Sequence, residues 1–156
     1  MTDHVLNNDR KYPLVPRVGV GIVVINKDKF LLIKRGQEPS KGFWTIPGGL
    51  VELGESLENA AQREIYEECN INVKLFQQID CFELIEKGDL DKIKYHYIVL
   101  EFLAVYKNGI LKAKSDAEQA RWFFRNDLNS LNTSDKTISL IDKAFARYQI
   151  LNNHYK

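Results

Sequence analysis

Cysteine is scarce in this 156-residue sequence, which contains only Cys69 and Cys81. The two form no CxxC pair, and two thiols by themselves cannot build a zinc site. We expect free thiols in a reducing compartment, and a Cys69–Cys81 disulfide stays open as the alternative. The scarcity argues against a disulfide-stapled scaffold and against a cysteine-based metal centre.

An excess of one charge and long apolar runs are also missing. The 22 basic and 21 acidic residues give a formal net charge of +1, so no global field favours nucleic acid or an anionic membrane. No run approaches the roughly 20 apolar residues of a membrane span, and the polar segment 1–16 lacks the apolar core of a signal peptide. We therefore expect a cytoplasmic protein without nucleic-acid or membrane partners.

Size and composition are those of one ordinary globular domain. Hydrophobic residues make up 44% of the chain and charged residues 28%, which suits a soluble domain with a substantial core. Because neither repeats nor linkers interrupt the sequence, we predict a single domain over residues 1–156. Residues 1–16 would form an N-terminal extension, and residues 134–151 an amphipathic C-terminal helix capped by Ser134.

Local patterns predict several strands around one central helix. The apolar run Val18–Ile25 fits a strand buried on both faces. The helix is expected over Leu57–Cys69, with Ser56 as its N-cap and Asn70 as a left-handed C-cap. Asn108-Gly109 predicts a hairpin leading into a strand at Ile110–Lys114. Further extended segments are predicted at Phe30–Lys34, Phe43–Ile46, Ile71–Leu75, Gln78–Ile85, Lys92–Tyr106 and Arg121–Phe124. Together they indicate an α+β fold with a mixed, largely antiparallel sheet.

The central helix carries an unusual concentration of carboxylates. Glu64, Glu67 and Glu68 occupy positions i, i+3 and i+4, so they project from one side, and Glu55 precedes the helix. At roughly 100° per residue, Glu64 and Glu68 fall at the edge of the apolar stripe, whereas Arg63 is expected to project away from the core. Carboxylates at a buried margin need a counter-charge, and Mg²⁺ prefers such oxygen ligands. A solvated acidic face is the alternative, but the glycine-rich approach to the helix favours the metal site.

The glycine-rich approach and the acidic helix together resemble the Nudix box. The matching positions are Gly49, Glu55, the run Arg63–Glu68 and Ile71. Asn70 stands where the family usually has glycine, and asparagine tolerates the left-handed conformation that such a helix end requires. The flank Phe43–Gly49 also looks like the family's approach to its box, and the resemblance extends from Arg17 to about Leu128.

The resemblance implies an α/β/α sandwich that hydrolyses a nucleoside diphosphate linked to another moiety, with Mg²⁺ or Mn²⁺ as cofactor. By position, the implied metal ligands are Glu64, Glu67, Glu68 and the Gly48 carbonyl, with Glu55 as a supporting acid. Arg63 would orient carboxylates through salt bridges. The general base would be Glu64 or a carboxylate of a later loop, Asp116 or Glu118. Arg35 is a candidate phosphate contact, although solvation is the commoner role of a single surface arginine.

The substrate is less constrained than the chemistry. The sequence looks most like small bacterial or archaeal members of the family that act on ADP-ribose and related nucleotide sugars, so we expect a small-molecule nucleotide. A (d)NTP housecleaning pyrophosphohydrolase is the enzymatic alternative. A non-catalytic nucleotide sensor is the alternative of another class, but retention of the four box glutamates favours hydrolysis. Because relatives are frequently homodimers, a homodimer is a further expectation.

Overall fold

The computed structural model describes residues 10–38 and 40–154. Two α-helices and seven strands lie within these ranges. The strands are β1 (Arg17–Asn26), β2 (Lys29–Arg35), β3 (Trp44–Thr45), β4 (Gly48–Leu50), β5 (Ile71–Lys87), β6 (Ile93–Gly109) and β7 (Ala117–Phe124). The helices are α1 (Leu57–Cys69) and α2 (Asp135–His154). Short 3-10 helices span Asp89–Asp91 and Arg125–Ser130.

The strands form one mixed sheet around β1. Its main path is β3-β2-β1-β6-β5, while β4 pairs with β1 and β7 pairs with β2. β1 and β6 run parallel, with Arg17 opposite Tyr97 and Ile25 opposite Val105. The other pairings are antiparallel. The predicted mixed, largely antiparallel sheet is therefore confirmed.

The two α-helices cover opposite faces of this sheet. Alternate residues of β1 point to opposite sides: Val20 and Ile22 join the core beneath α1, and Val23 and Ile25 join the core beneath α2. This explains why Val18–Ile25 is an almost continuous apolar run. The arrangement confirms an α/β/α sandwich.

The predicted hairpin after Asn108-Gly109 is wrong. β6 continues through Gly109, and the segment 110–114 forms no strand. It passes the C-terminal end of α1 instead, where the Lys112 and Lys114 N–H groups donate to the carbonyls of Cys69 and Glu68. Because the last carbonyls of a helix have no partner within the helix, this segment satisfies them.

Other boundaries differ from the prediction by smaller amounts. The separate strands predicted at Ile71–Leu75 and Gln78–Ile85 form the single strand β5, which pairs with β6 through several register shifts. α2 extends three residues beyond the predicted 151, to His154, and Ser134 Oγ accepts the Thr137 N–H at 3.1 Å. Cys69 and Cys81 are free thiols. Neither helix of the described ranges is long and apolar enough to cross a membrane.

Candidate active site

Helix α1 is fixed at both ends and along one face. Ser56 has extended backbone, and its hydroxyl accepts the Asn59 N–H at 3.1 Å. Asn70 has φ 58° and ψ 30°, the left-handed C-cap expected from the sequence. Between them, Ala61 and Ile65 are fully buried against the sheet. Since glutamates in this part of the helix flank the buried stripe, the packing decides how deeply they lie.

Glu68 is the most deeply buried carboxylate on α1. The residue is only 5% exposed, and its Oε2 accepts the Gly48 N–H from β4 at 3.0 Å. Burial raises the pKa of Glu68 to about 8, while the Gly48 hydrogen bond acts in the opposite direction. A carboxylate in such surroundings is costly without a compensating cation.

Glu64 lies directly over β4. Its side chain is 12% exposed, and burial raises its pKa, with Arg63 acting in the opposite direction. A Cβ at position 49 would run into the Glu64 carboxyl group. Glycine at this position therefore lets the carboxylate approach the backbone of β4 closely.

Arg63 holds three carboxylates together. Its Nε lies 2.7 Å from Glu55 Oε1, and its Nη1 lies 2.8 Å from Glu64 Oε1 and 3.1 Å from Glu67 Oε2. The Arg63 hydrogen bond lowers the pKa of Glu55 to about 2, and Glu55 in turn raises the pKa of Arg63. Arg63 also donates to the Leu50 carbonyl at 3.0 Å, so it ties α1 to β4.

The predicted direction of Arg63 is therefore wrong. Its side chain is only 23% exposed and turns toward the acidic group, where it was expected to project away from the core. The angular position of a Cα does not fix where a long, flexible side chain ends. Three nearby carboxylates attract the guanidinium, whose planar fork donates several hydrogen bonds at once.

These residues border a cavity of about 810 Å³, here called the acidic cavity. Its lining includes Glu64, Glu67, Glu68, Arg63, Gly48, Gly49, Arg10, Arg17, Arg35 and Asp116. Glu55 is not part of the lining of the acidic cavity, but it accepts two hydrogen bonds from Arg63. The acidic cavity therefore brings together oxygen ligands for a cation and guanidinium groups for an anion.

The two loop carboxylates differ in placement. Asp116 lines the acidic cavity, and its Oδ2 lies 3.2 Å from Arg10 Nη1. Glu118 lies on the exposed side of β7, is absent from that lining, and has its Oε2 3.6 Å from Lys34 Nζ. Asp116 is thus the loop carboxylate with access to the cavity.

The donor set suits a hard divalent cation. Within residues 10–38 and 40–154, no three Asp, Glu, His or Cys side chains converge closely enough to enclose an ion by themselves. Mg²⁺ normally keeps several waters and takes only a few protein oxygens, so an open group of carboxylates fits it better than a closed cage. The buried Glu68 carboxylate, with an N–H as its one hydrogen-bond partner within these ranges, supports this fit.

Comparison with known proteins identifies the family. The model of the NUDIX domain matches residues 15–144. The chain belongs to the Nudix hydrolase family. The glutamates on α1, the glycines of β4 and Arg63 are therefore its Nudix box, and the protein is a hydrolase of the pyrophosphohydrolase type.

Similar Nudix proteins have different names. The chain is 36% identical over 124 residues to an ADP-ribose pyrophosphatase of Methanocaldococcus jannaschii, covering 78% of this chain and 71% of that protein. It is 43% identical over 136 residues to an RNA pyrophosphohydrolase of Pelagibacter ubique, covering 80% and 86%. A MutT Nudix hydrolase from Burkholderia pseudomallei has a similar structure, with a TM-score of 0.71, 27% identity, and coverage of 83% and 98%. The names of the first two relatives agree on the chemistry and differ in the substrate.

One acidic residue of this Nudix domain was missed by sequence reasoning. Glu101 lies on β6, is 4% exposed, and faces a second cavity beneath α2. The signal in the sequence was a single charge inside the apolar run Ile98–Val105, opposite the glycines of Val18-Gly-Val-Gly on β1. Glu101 and the glycines become neighbours only through the pairing of β1 with β6, and local sequence patterns do not predict this pairing.

Proposed function

We propose that the protein hydrolyses the diphosphate bond of ADP-ribose or a related nucleotide sugar, with Mg²⁺ or Mn²⁺ as cofactor. The observation that carries this proposal is the acidic cavity, in which buried box carboxylates face arginine side chains. A diphosphate is a polyanion, so it requires both a cation that carboxylates can hold and positive side chains that orient it.

The metal would be held by Glu64, Glu67, Glu68 and the Gly48 carbonyl. When bound, the metal ion would neutralise charge on the scissile phosphate and lower the pKa of a coordinated water molecule. The Gly48 N–H fixes one oxygen of Glu68, which leaves its other oxygen for ligation. Gly49 gives Glu64 its close approach to the backbone.

Arg63 and Glu55 support the ligands in this proposal. The bonds from Arg63 to Glu64 and Glu67 hold both carboxylates on the same side of α1. Glu55 accepts two hydrogen bonds from the guanidinium and fixes its plane. Arg63 therefore acts as a positioning residue, which keeps mutually repelling carboxylates together before the cation binds.

Arg35 is the proposed phosphate contact in the wall of the acidic cavity. It ends β2, is half-buried, and lines both cavities. Its positive charge also acts on the Glu68 carboxyl group, whose pKa it lowers. An arginine in the wall of the cavity that holds the proposed metal ligands suits a phosphate group, because a guanidinium can donate to two phosphate oxygens.

The general base is proposed to be Glu64 or Asp116. Glu64 belongs to the ligand group, whereas Asp116 reaches the same cavity from the loop before β7. The position of Glu118 gives no support to the role expected for it. Asp116→Asn distinguishes the two, because Asp116 is not a proposed metal ligand: a large loss of kcat at saturating Mg²⁺ assigns the base to Asp116, and a retained kcat assigns it to Glu64.

A nucleotide sugar is preferred because of the second cavity and the similarity to an ADP-ribose pyrophosphatase. The relative named as an RNA pyrophosphohydrolase favours RNA 5′-triphosphate ends as a second candidate. The net charge of +1 favours the small nucleotide, since RNA binding relies on neutralising many phosphates. The (d)NTP pyrophosphohydrolase and the non-catalytic sensor are the remaining alternatives, and a cytoplasmic homodimer remains a prediction.

A substrate panel with Mg²⁺ and with Mn²⁺ tests the proposal. It compares ADP-ribose, other nucleotide sugars, dinucleoside polyphosphates, (d)NTPs and a short RNA with a 5′-triphosphate end. We expect the highest kcat/KM with ADP-ribose or another nucleotide sugar. Preference for the RNA or for a (d)NTP would replace the proposed substrate, and nucleotide binding without hydrolysis of any compound would favour the sensor.

A further inference from the structure

A second cavity, here called the Glu101 cavity, lies on the α2 side of the sheet. Its volume is about 310 Å³, at the small end of ligand cavities. It shares Gly48, Gly49, Leu50, Arg10 and Arg35 with the acidic cavity. A single bound ligand can therefore extend over β4, with one part in each cavity.

Glu101 is the anomalous residue of this second cavity. The side chain is 5% exposed, and Oε2 is the buried side-chain atom of the described ranges that lacks a hydrogen-bond partner. An unpaired buried carboxylate oxygen is costly. Its presence in a cavity wall points to a partner that arrives from outside the chain.

The ion pair with Lys136 does not account for Glu101. Lys136 Nζ lies 3.8 Å from Oε1, at the limit of an ion pair, and the lysine side chain is 47% exposed. The ammonium group also lies over the ring of Phe82. A loose pair of this kind does not offset the cost of burying a carboxylate, and it leaves Oε2 unused.

Space in front of Glu101 is provided by glycine on the neighbouring strand. Gly21 pairs with Glu101 between the parallel strands β1 and β6. A Cβ at position 21 would meet Glu101 Oε2 and also approach Ile46 Cδ1 to 2.9 Å. Gly19, one step along the same face, also lines the cavity. The carboxylate therefore faces a space that any side chain at position 21 would occupy.

The remaining wall is mostly apolar and aromatic. Trp44, Phe82 and Tyr97 line it together with Ile46 and Val99. Hydroxyl groups come from Ser134 and Thr137 at the start of α2, and their oxygens already lie 3.0 Å from each other. A sugar would need partners for many hydroxyls, whereas a heterocyclic base needs apolar contact and a few hydrogen bonds at its edge.

We propose that Glu101 recognises the nucleobase of the substrate: Oε2 accepts an N–H hydrogen bond from a base in the Glu101 cavity, while the attached phosphates extend into the acidic cavity. The placement of the phosphates in the acidic cavity rests on the proposed function. Adenine and guanine both present suitable N–H groups. Glu101 is thus a specificity-determining residue and not part of the bond-cleaving group.

Calorimetric binding of nucleoside monophosphates in Mg²⁺ tests this without requiring hydrolysis. AMP, GMP, CMP and UMP are compared with ribose 5-phosphate, which has no base. Wild type is compared with Glu101→Gln, with Glu101→Met of similar volume, and with Glu83→Gln, a matched control at an exposed residue of β5. Thermal unfolding of each variant verifies that it is folded, and either Glu101 variant that folds is sufficient.

We expect one or more nucleotides to bind more tightly than ribose 5-phosphate. Glu101→Met, which has no acceptor oxygen, should weaken binding of the preferred nucleotide by about tenfold or more, and Glu101→Gln, whose amide oxygen is a neutral acceptor, should weaken it by a smaller but measurable factor. Ribose 5-phosphate should bind all variants alike, and Glu83→Gln should resemble wild type. Equal binding of the preferred nucleotide by wild type and a folded Glu101 variant would overturn the inference, as would a wild type that does not distinguish nucleotides from ribose 5-phosphate. Failure of the substrate proposal is recognised separately, as absence of nucleotide-sugar hydrolysis in the panel.

Discussion

The two faces of the sheet hold their carboxylates in opposite ways. On the α1 face, Glu55, Glu64 and Glu67 share the guanidinium of Arg63 at 2.7–3.1 Å. On the α2 face, Glu101 is buried, with a lysine 3.8 Å from one oxygen and, among the residues that the structure describes, no partner for the other. One group is assembled and compensated within the chain, whereas the other has a free acceptor facing a cavity.

Under the proposed roles, the difference separates reaction chemistry from substrate recognition. A cluster of carboxylates must be prevented from repelling itself apart before a cation binds, and Arg63 serves that purpose. A recognition site gains selectivity from a buried polar group that only the correct ligand satisfies. Disrupting the α1 face should therefore abolish turnover, whereas disrupting the α2 face should change which nucleotide is preferred.

Metal removal should have the largest effect, and it should act on the α1 face. We expect excess EDTA to abolish hydrolysis of the preferred substrate, and added Mg²⁺ or Mn²⁺ to restore it, because the carboxylates alone cannot activate water. Initial rates before and after metal addition measure this. Undiminished turnover in EDTA would refute the metal role of the acidic cavity.

Replacing the buried ligand should have the next largest effect. Glu68→Gln preserves shape and removes charge, so we expect kcat to fall by about three orders of magnitude or more with the fold intact. Steady-state kinetics and circular dichroism measure both properties. Glu58→Gln, at an exposed position of the same helix, is the matched control and should retain activity. A fully active Glu68→Gln enzyme is incompatible with ligation by Glu68.

Changing the arginine should have an intermediate effect. Arg63→Lys keeps the charge but loses the fork that contacts Glu55, Glu64 and Glu67 together. We expect kcat to fall by about 10- to 100-fold, as for loss of a group that orients ligands, together with a higher Mg²⁺ concentration for half-maximal activity. Metal titration of the rate measures the second effect. An unchanged metal requirement would mean that Arg63 does not organise the ligands.

The smallest effect should be a gain in stability on the α2 face. Burial raises the pKa of Glu101 to about 7. Because this folded-state pKa lies above the ordinary value, the folded state favours the protonated acid, and stability falls as pH rises from about 4.5 to about 7. Lys136 opposes this shift and Asp80 adds to it.

Glutamine has no charge to bury, so Glu101→Gln should unfold at a higher temperature than wild type at about pH 8 and at a similar temperature at about pH 5. The rise in pKa from 4.5 to about 7 sets an upper limit of about 3 kcal/mol, so the expected gain is about 1–3 kcal/mol, or several degrees. Calorimetry without nucleotide measures it, with Glu83→Gln showing no such pH dependence. A destabilised Glu101→Gln at pH 8 would indicate a structural ion pair with Lys136.

Local signals predicted the helix of the active site well. The bounds Leu57–Cys69, the cap at Ser56 and the left-handed Asn70 all follow from residues that act on their neighbours. These features need no knowledge of which strands pair. The roles of the glutamates on α1 stay a prediction.

Features that depend on distant contacts were not predicted. The segment 110–114 satisfies carbonyls of α1 instead of returning as a strand, because the end of β6 lies beside that helix. The helical projection placed Arg63 away from the core; its salt bridges with the carboxylates were implied only by the resemblance to the Nudix box. The Glu101 cavity depends on the register that places Gly21 beside Glu101. The parallel pairing of β1 with β6, which lie far apart in the sequence, cannot be recognised from local sequence patterns.

Product analysis with ADP-ribose tests the central claim most directly. Purified enzyme with Mg²⁺ should convert ADP-ribose into equal amounts of AMP and ribose 5-phosphate, with one oxygen from labelled water in one product, and Glu68→Gln should form neither. This result would place diphosphate hydrolysis in the acidic cavity. Failure to cleave ADP-ribose and every other nucleotide sugar of the panel, or equal product formation by the Glu68→Gln variant, would contradict the account.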